Sequence, residues 1–588
     1  MSLRASHGRL TIGVLTGWQY YWTETSRSYL DLLYRGIRTA AHDHDCNLLL
    51  ACGMGPSATA DDPARPAWPM SAPDVDFVPI GPWNTDGLIV LSPLLVEACS
   101  HYIQDLVAHQ FPIVFVGTGQ AGLTIAADNE TGVIEALRHL IEHGHRQIAY
   151  IAGGPEDAEG DGIERLHTYQ RVVQTYGLDS DARLIDFGRH TAVGGYQAMQ
   201  RILSSGVAFT AVLASNDESA YGARQALKEA QRDVPRDVAL IGFDDRPEAA
   251  VQEPALSSVH IPLFRMGYRA LELILQEIQG QPSPVMRYTM PVRLVTRESC
   301  GCGVREGPSQ NAELNVPVSL EEQVARRLQI ERDIEESVLS ETPRFSPETI
   351  RTMCQRLVAA FTTAVEQRQF EILQQAVAGV LEQTKAISEG MHIWQAAVSI
   401  LYDEAQVFLP PEASTTLQLW ARDILDRTRI IISDATWQQH QRYVLQQGRM
   451  LDRVGRLTAQ LLHALDEARI FEVLARHLPA MSIRRAALAF FESAGDDAVA
   501  WSNLRLVTPL ETEPIHFLSR EFPPEPWRSS EEALSLVLIP MVSQRGPSGY
   551  VAFDADQLDL QGAIVQQLNA ALNNVQLYRE AVEGRRLA

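Results

Sequence analysis

From Leu10 to about Cys302 the chain alternates short, continuous apolar runs with longer stretches whose apolar residues recur at helical spacing. Val238-Ala239-Leu240-Ile241-Gly242-Phe243 reads as an apolar strand. Strands alternating with amphipathic helices predict an α/β fold built on mostly parallel sheets. Gly53 to Pro82, rich in Pro, Gly, Ala and Asp, predicts a long loop.

After Gly303 the pattern changes. Arg305 to Pro317 is polar, with Gly and Pro, and suits a linker. Ser319-Leu320-Glu321-Glu322 has the form of a capping box. Ser346-Pro347-Glu348 is a second helix start with Pro at the first helical position, and Phe345 and Ile350 are placed to staple it. Ile350, Cys354, Leu357, Phe361 and Val365 then repeat at helical spacing, and Gly390 and Pro410-Pro411 punctuate further helices. This predicts a helical bundle from about 319 to 432. Trp437, Val444, Leu451 and Leu465 lie on a seven-residue repeat, with Val454, Leu461 and Ala468 on the neighbouring seam and His440, Gln447 and Thr458 as flaws. Such a helix suits either a bundle or a parallel dimer coil.

From about 470 to 560 a second α/β pattern appears, with strands expected at Ala486–Phe491, Leu534–Val542 and Gly549–Phe553. A final helix carries Ile564, Leu568, Ala571, Val575, Tyr578 and Val582, a regular heptad seam expected to pair two chains.

Two strand ends hold the chemistry. Ala214-Ser215-Asn216-Asp217 and Gly242-Phe243-Asp244-Asp245 each close an apolar run with carboxylates or an amide. Ligands of parallel α/β sheets bind outside the carboxyl ends of the strands, so these acceptors suit a small hydroxylated ligand. No nucleophile or base pair accompanies them, so no catalytic residue is assigned.

In order along the chain, Thr11-Ile12-Gly13-Val14-Leu15 as a first strand, Tyr34-Arg35-Gly36-Ile37 as the helix after it, Asp86-Gly87-Leu88-Ile89-Val90 as an Asp-Gly-apolar strand, Asp128-Asn129, Gly144-His145-Arg146-Gln147-Ile148-Ala149, Arg165 with Tyr169, Asn216-Asp217 and Gly242-Phe243-Asp244-Asp245 resemble the effector-binding domain of the LacI/GalR family, which shares the periplasmic sugar-binding-protein fold. The resemblance covers residues 10–302. It implies two lobes, about 10–126 with 257–286 and 127–256 with 287–302, joined by three crossovers with the ligand between them. It also implies that Arg165 donates paired hydrogen bonds to the ligand and that Asn216, Asp217, Asp244 and Asp128 face it, with Asp245 capping the following loop. Turn capping is the rival role for these Asn and Asp side chains. Thr168 stands where the family has Gly. The first-strand loop departs from the family's Asn-Pro-aromatic segment: it reads Gly17-Trp18-Gln19-Tyr20-Tyr21-Trp22, and Tyr29 takes the usual aromatic place. Trp18, Tyr20 and Tyr29 offer flat faces to a sugar, or pack on the lobe's own surface.

The order of helix, strands and terminal helix after about residue 456 resembles a GAF domain. The domains expected are thus 10–302, a linker at 303–318, a helical bundle and coil at 319–455, a GAF-like domain at 456–562 and a terminal coiled-coil helix at 563–588.

Composition narrows the function classes. A length of 588 residues suits about three to four domains. The net charge of −23 disfavours broad binding to nucleic acid or anionic membranes. No run reaches the length of a signal peptide or membrane helix, so the expected location is the cytoplasm. Six cysteines in such a chain read as reduced thiols. Cys300-Gly301-Cys302 is the one notable pair, but no Cys or His pair lies near it in sequence to complete a metal site, so neither metal nor cofactor is expected. The first strand at Thr11 leaves no room for the family's helix-turn-helix headpiece, and direct DNA binding is not expected. There is no phosphate loop, kinase signature or cyclase motif. The expectation is a cytoplasmic, homodimeric sensor of a small sugar-like ligand that relays its state through helices and a GAF-like domain. Rival readings are a LacI-family transcription regulator acting on DNA directly or through a partner, and the sensory half of a histidine kinase or cyclase.

Overall fold

The protein is described from a computed structural model. It covers residues 9–17, 27–54, 79–91, 97–117, 122–154, 160–179, 181–281, 283–302, 320–339, 345–386, 390–410, 413–494, 497–510, 513–528, 532–543, 546–555 and 558–587. The chain forms two compact units. One holds residues 1–126, 266–289 and 445–588; the other holds 127–265 and 290–444.

The first unit is built on one sheet. Its strands are β1 (Thr11–Gly17), β2 (Asn47–Met54), β3 (Gly87–Leu91), β4 (Ile113–Val116), β5 (Thr124–Ala127), β11 (Arg287–Met290), β13 (Ala486–Ala494), β14 (Asp497–Thr508), β15 (Ile515–Leu518), β16 (Ser535–Ser543) and β17 (Gly546–Asp554), and the spatial order is β11-β5-β4-β3-β1-β2-β16-β17-β13-β14-β15. β1 to β5 pair in parallel, as the unbroken apolar runs predict. The late strands form an antiparallel meander, two of which (β14 and β15) the apolar pattern did not suggest.

The segment expected to stand as a separate domain instead continues the first sheet. β16 pairs in parallel with β2, Ser535 beside Leu48 through Leu538 beside Ala51. The Leu48 amide donates to the Leu534 carbonyl at 2.7 Å, and the Leu534 amide donates to Asn47 Oδ1 at 2.9 Å. Asn84 Nδ2 donates to the Phe522 carbonyl at 2.8 Å, and Arg38 donates to the Ala555 carbonyl at 3.1 Å. Leu15, Leu49, Leu88 and Val90 share one buried layer with Leu536, Leu538, Ala487 and Tyr550. Burying a Leu of this kind contributes about 1.5–3 kcal/mol, so the two segments depend on each other for part of their stability.

The final helix, Leu558–Leu587, lies against β16. Its expected dimer seam is largely used up inside the chain. Ile564, Leu568 and Ala571 are fully covered and Val575 nearly so, whereas Tyr578 is half exposed. The seam corrects to a core face because an open sheet offered it an apolar partner in its own chain.

The second unit holds a six-stranded sheet of β6 (Ile148–Ala152), β7 (Ile185–Phe187), β8 (Ala211–Ala214), β9 (Ala239–Asp244), β10 (Ser257–His260) and β12 (Arg293–Val295), in the order β12-β10-β9-β8-β6-β7. All pairs are parallel except β10 with β12. β10 was expected in the first lobe, but its pairing with β9 moves the boundary to residue 265. β11, expected in the second lobe, is an edge strand of the first sheet.

The helices Leu320–Leu339, Pro347–Gln367, Phe370–Ala386, Ile393–Asp403 and the first part of Thr415–Leu462 share a core that includes Ile334, Ile350, Leu357, Phe361, Trp394 and Leu425. Ser346 caps its helix as predicted, Oγ accepting from the Thr349 amide at 3.2 Å, and Phe345 packs against the core that holds Ile350. Ser319 lies outside the described residues. The buried Trp394 indole donates to Thr384 Oγ1 at 2.8 Å. On the 48-residue helix Thr415–Leu462, Trp437, Val444 and Leu451 are exposed by 50%, 50% and 70%.

Candidate functional site

The predicted strand-end residues lie in the second unit. Asn216 follows β8 and caps the helix Asp217–Glu229: Oδ1 accepts from the Ser219 amide at 3.0 Å, and Nδ2 donates to the His190 carbonyl at 3.1 Å. Each of these groups retains a further donor or acceptor position. Asp217 is fully buried and turned inward. It accepts from Ser258 Oγ at 2.5 Å and from the Arg246 amide at 2.8 Å, and burial together with nearby Asp244 pushes its pKa well up. Gly242 leaves the space that the Asp217 carboxylate fills. Asp217 thus joins the ends of β8, β9 and β10.

Arg165, on the helix Asp161–Thr175, is 4% exposed. Its Nε donates to Asn129 Oδ1 at 2.8 Å and its Nη1 to the Ser215 carbonyl at 2.6 Å. Its guanidinium lies 3.8 Å from the centre of the Phe243 ring and 3.6 Å from Asp244 Oδ1. The sequence pointed to Asp128, but that side chain caps the helix Asn129–Glu142 through the Thr131 amide and hydroxyl. Asn129, one residue on, is the group that meets Arg165; its Nδ2 donates to Asp161 at 2.7 Å and to Glu164 at 3.2 Å. Only its place beside Asp128 in the motif hinted at it.

Asp244 and Asp245 are neighbours with opposite surroundings. Both have positive φ, 106° and 52°, a region that costs a non-glycine residue of order 1–3 kcal/mol and recurs at ligand sites. The bend turns the two carboxylates apart. Burial pushes the Asp244 carboxyl up to about 6, against the pull of Arg165 and His190. Burial acts on Asp245 too, but Arg297 at 2.7 Å and His260 at 3.1 Å overcome it and hold its carboxyl well below the usual range. Asp245 is therefore locked within the lobe, while Asp244 with Arg165, Asn216 and the His190 loop forms a polar cluster at the strand ends. Trp18 and Tyr20 lie outside the described residues. Tyr29 lies in the helix Arg27–Asp43, its side chain outside the description.

A parallel sheet with such a cluster at its strand ends has the arrangement in which open α/β sheets bind ligands. Residues 137–300 match the family described as periplasmic binding protein-like domain. Part of the chain is similar in sequence to known transcriptional regulators. It is 36% identical over 172 residues to the HTH-type transcriptional regulator CelR of Thermobifida fusca, spanning 29% of this chain and 50% of that protein. It is 35% identical over 175 residues to the HTH-type transcriptional regulator GalR of Escherichia coli K12, spanning 30% and 50%. It is 30% identical over 227 residues to the HTH-type transcriptional repressor MelR of Bacillus subtilis 168, spanning 38% and 65%. The chain thus spans about half the length of the first two relatives. A solved CelR–cellobiose complex is similar at 25% identity and a TM-score of 0.41, covering 50% of this chain and 85% of that one. By name, these relatives are transcriptional regulators. Among the described residues no helix is long and apolar enough to cross a membrane.

Proposed function

We propose that this chain is a ligand-responsive regulatory protein whose effector domain binds a small, sugar-like molecule through Arg165, Asn216 and Asp244. The observation that carries this is the Arg165 guanidinium, buried against Phe243 and Asn129 and facing Asp244 at a bend in the left-handed region. A planar fork beside an acceptor suits a ligand bearing several hydroxyls. Asp128 and Asp217 serve this site by capping and by tying strands. The helices after residue 320 and the C-terminal α+β segment pass on the ligand state. We read that segment as GAF-like, on its order of helix, antiparallel strands and final helix. The exposed Trp437, Val444 and Leu451 support a parallel homodimer. The output partner is a kinase, a cyclase or the transcription machinery. A thermal-shift screen of mono- and disaccharides, followed by calorimetry, tests the site. Arg165→Lys keeps the charge but loses the fork, and affinity should fall about ten- to a hundredfold. Unchanged affinity would remove Arg165 from the site.

The names of the relatives favour a second reading, regulation of transcription on DNA itself. A mobility-shift assay at physiological salt separates the two: a sequence-specific shift at nanomolar protein supports DNA binding, and none supports action through a partner.

A further inference from the structure

At the far end of the helix that supplies Asn129, two histidines meet the Cys300-Gly301-Cys302 turn. His139 lies in the last turn of Asn129–Glu142 and His143 caps it, so their spacing of four puts both rings on one helix face. The ring centres are 4.2 Å apart. Gly301, at φ 92°, lets the chain turn tightly between the cysteines. His139 Nε2 lies 3.3 Å from Cys300 Sγ and 3.5 Å from Cys302 Sγ, and His143 Nε2 lies 3.5 Å from Cys302 Sγ. Three of these ligand atoms, from His139, Cys300 and Cys302, fall within 4.8 Å of one another.

These separations have a specific meaning. Four-coordinate zinc binds sulfur at about 2.3 Å and imidazole nitrogen at about 2.0–2.1 Å, which puts the sulfur–nitrogen edge of the tetrahedron at about 3.5–3.6 Å. Of the four such edges in a site of two cysteines and two histidines, the three from His139 to both cysteines and from His143 to Cys302 lie within a few tenths of an ångström of that length; His143 stands outside the 4.8 Å group, so its ring must move in to close the fourth. The histidine chemistry agrees. His143 Nδ1 lies 2.8 Å from the His139 carbonyl, which can only accept, so Nδ1 carries the proton and Nε2 presents its lone pair. Cys300 is 2% exposed, so a metal there would be shielded from water.

We propose that His139, His143, Cys300 and Cys302 form a structural zinc site, closed by four protein ligands. It pins the end of the effector domain, at Cys302, to the helix that positions Asn129 beneath Arg165. The helix Ile393–Asp403 packs on β12, just before the Cys-Gly-Cys turn, so the pin sits where this lobe meets the helical bundle. The sequence conceals the site because its two halves are 157 residues or more apart, although each half alone has ligand spacing.

The test uses the full chain, purified reduced and without chelator. Elemental analysis should find one zinc per chain, and exchange with Co²⁺ should give sulfur-to-cobalt charge-transfer absorption with the strong visible bands of a tetrahedral centre. His143→Gln and Cys302→Ser should each weaken zinc binding by more than about a hundredfold in competition with a chromogenic chelator, since loss of an outer-sphere partner alone costs about ten- to a hundredfold. Cys354→Ser should leave the stoichiometry at one. Wild-type protein that takes up no zinc and gives no cobalt–thiolate band overturns the proposal, and so does zinc retained at full affinity by the His143→Gln, Cys302→Ser double variant. If that variant does not fold, the cobalt spectrum of the wild type decides. A Cys300–Cys302 disulfide that persists under reducing conditions also counts against the site.

Discussion

Two helices of this protein carry apolar residues on a seven-residue repeat, and they meet different fates. In Leu558–Leu587 the series Ile564, Leu568, Ala571 and Val575 is covered by the chain's own sheet. In Thr415–Leu462 the series Trp437, Val444 and Leu451 faces outward, half exposed or more. The repeat states that a helix has one apolar face. It does not state what covers that face. An open sheet extended by late strands was at hand for the first helix, whereas the second leaves its stripe exposed. Asp244 and Asp245 repeat the lesson in charge: adjacent, both buried, one pushed up and one held down by what lies next to each.

Four experiments can break or sharpen this contrast. The largest effect is expected from Leu568→Ala, which should cost about 2–5 kcal/mol in urea unfolding as a core truncation, while Leu451→Ala should stay within about 0.5 kcal/mol. Equal effects would erase the distinction between the two helices. Next comes Asp244→Asn. Its folded pKa of about 6 lies above the 3.8 of an ordinary aspartate, so the folded state holds the proton more tightly than the unfolded chain. The wild type is favoured by that proton below about pH 4 and loses the benefit as pH rises through about 6. The stability of Asp244→Asn relative to wild type should therefore improve by about 2 kcal/mol between pH 4 and pH 7. A pH-independent difference would show that Asp244 is not buried as described.

A third, smaller effect concerns the exposed stripe. Val444→Asp with Leu451→Asp should leave the melting temperature nearly unchanged yet raise the dimer dissociation constant at least about tenfold by light scattering, close to 1.4 kcal/mol. A wild type that is monomeric at tens of micromolar would end the dimer reading. The smallest effect is expected from Ser346→Ala, which removes one helix cap from the bundle and should cost about 1 kcal/mol. No loss there would mean that the Thr349 amide finds another acceptor.

Much of the architecture was legible in advance. The family resemblance marked β1 and β3, the apolar run before Asp244 marked β9, and Ser346 with Pro347 marked a helix start, because each signal lies within a few residues of what it controls. The strand ends at Asn216 and Asp244 were legible for the same reason. Asn129 was less so, since its importance comes from Arg165, on another helix. β14 and β15 were missed because a strand with one solvated face alternates polar with apolar residues and leaves no continuous run. The domain boundary at Ser257–His260 was misplaced because a strand's composition does not say which sheet it will join.

By itself the sequence determined which segments are strands and helices, which faces are apolar, and that acceptors gather at the ends of two parallel strands. Those properties depend on side chains close together along the chain. Tertiary structure alone decided that β16 lies beside β2, that the final heptad face is core, and that His139 and His143 meet Cys300 and Cys302. Strand pairing uses backbone groups that nearly every residue carries, so it leaves no mark on residue identity. A site built from two halves exists only once folding has closed the loop between them.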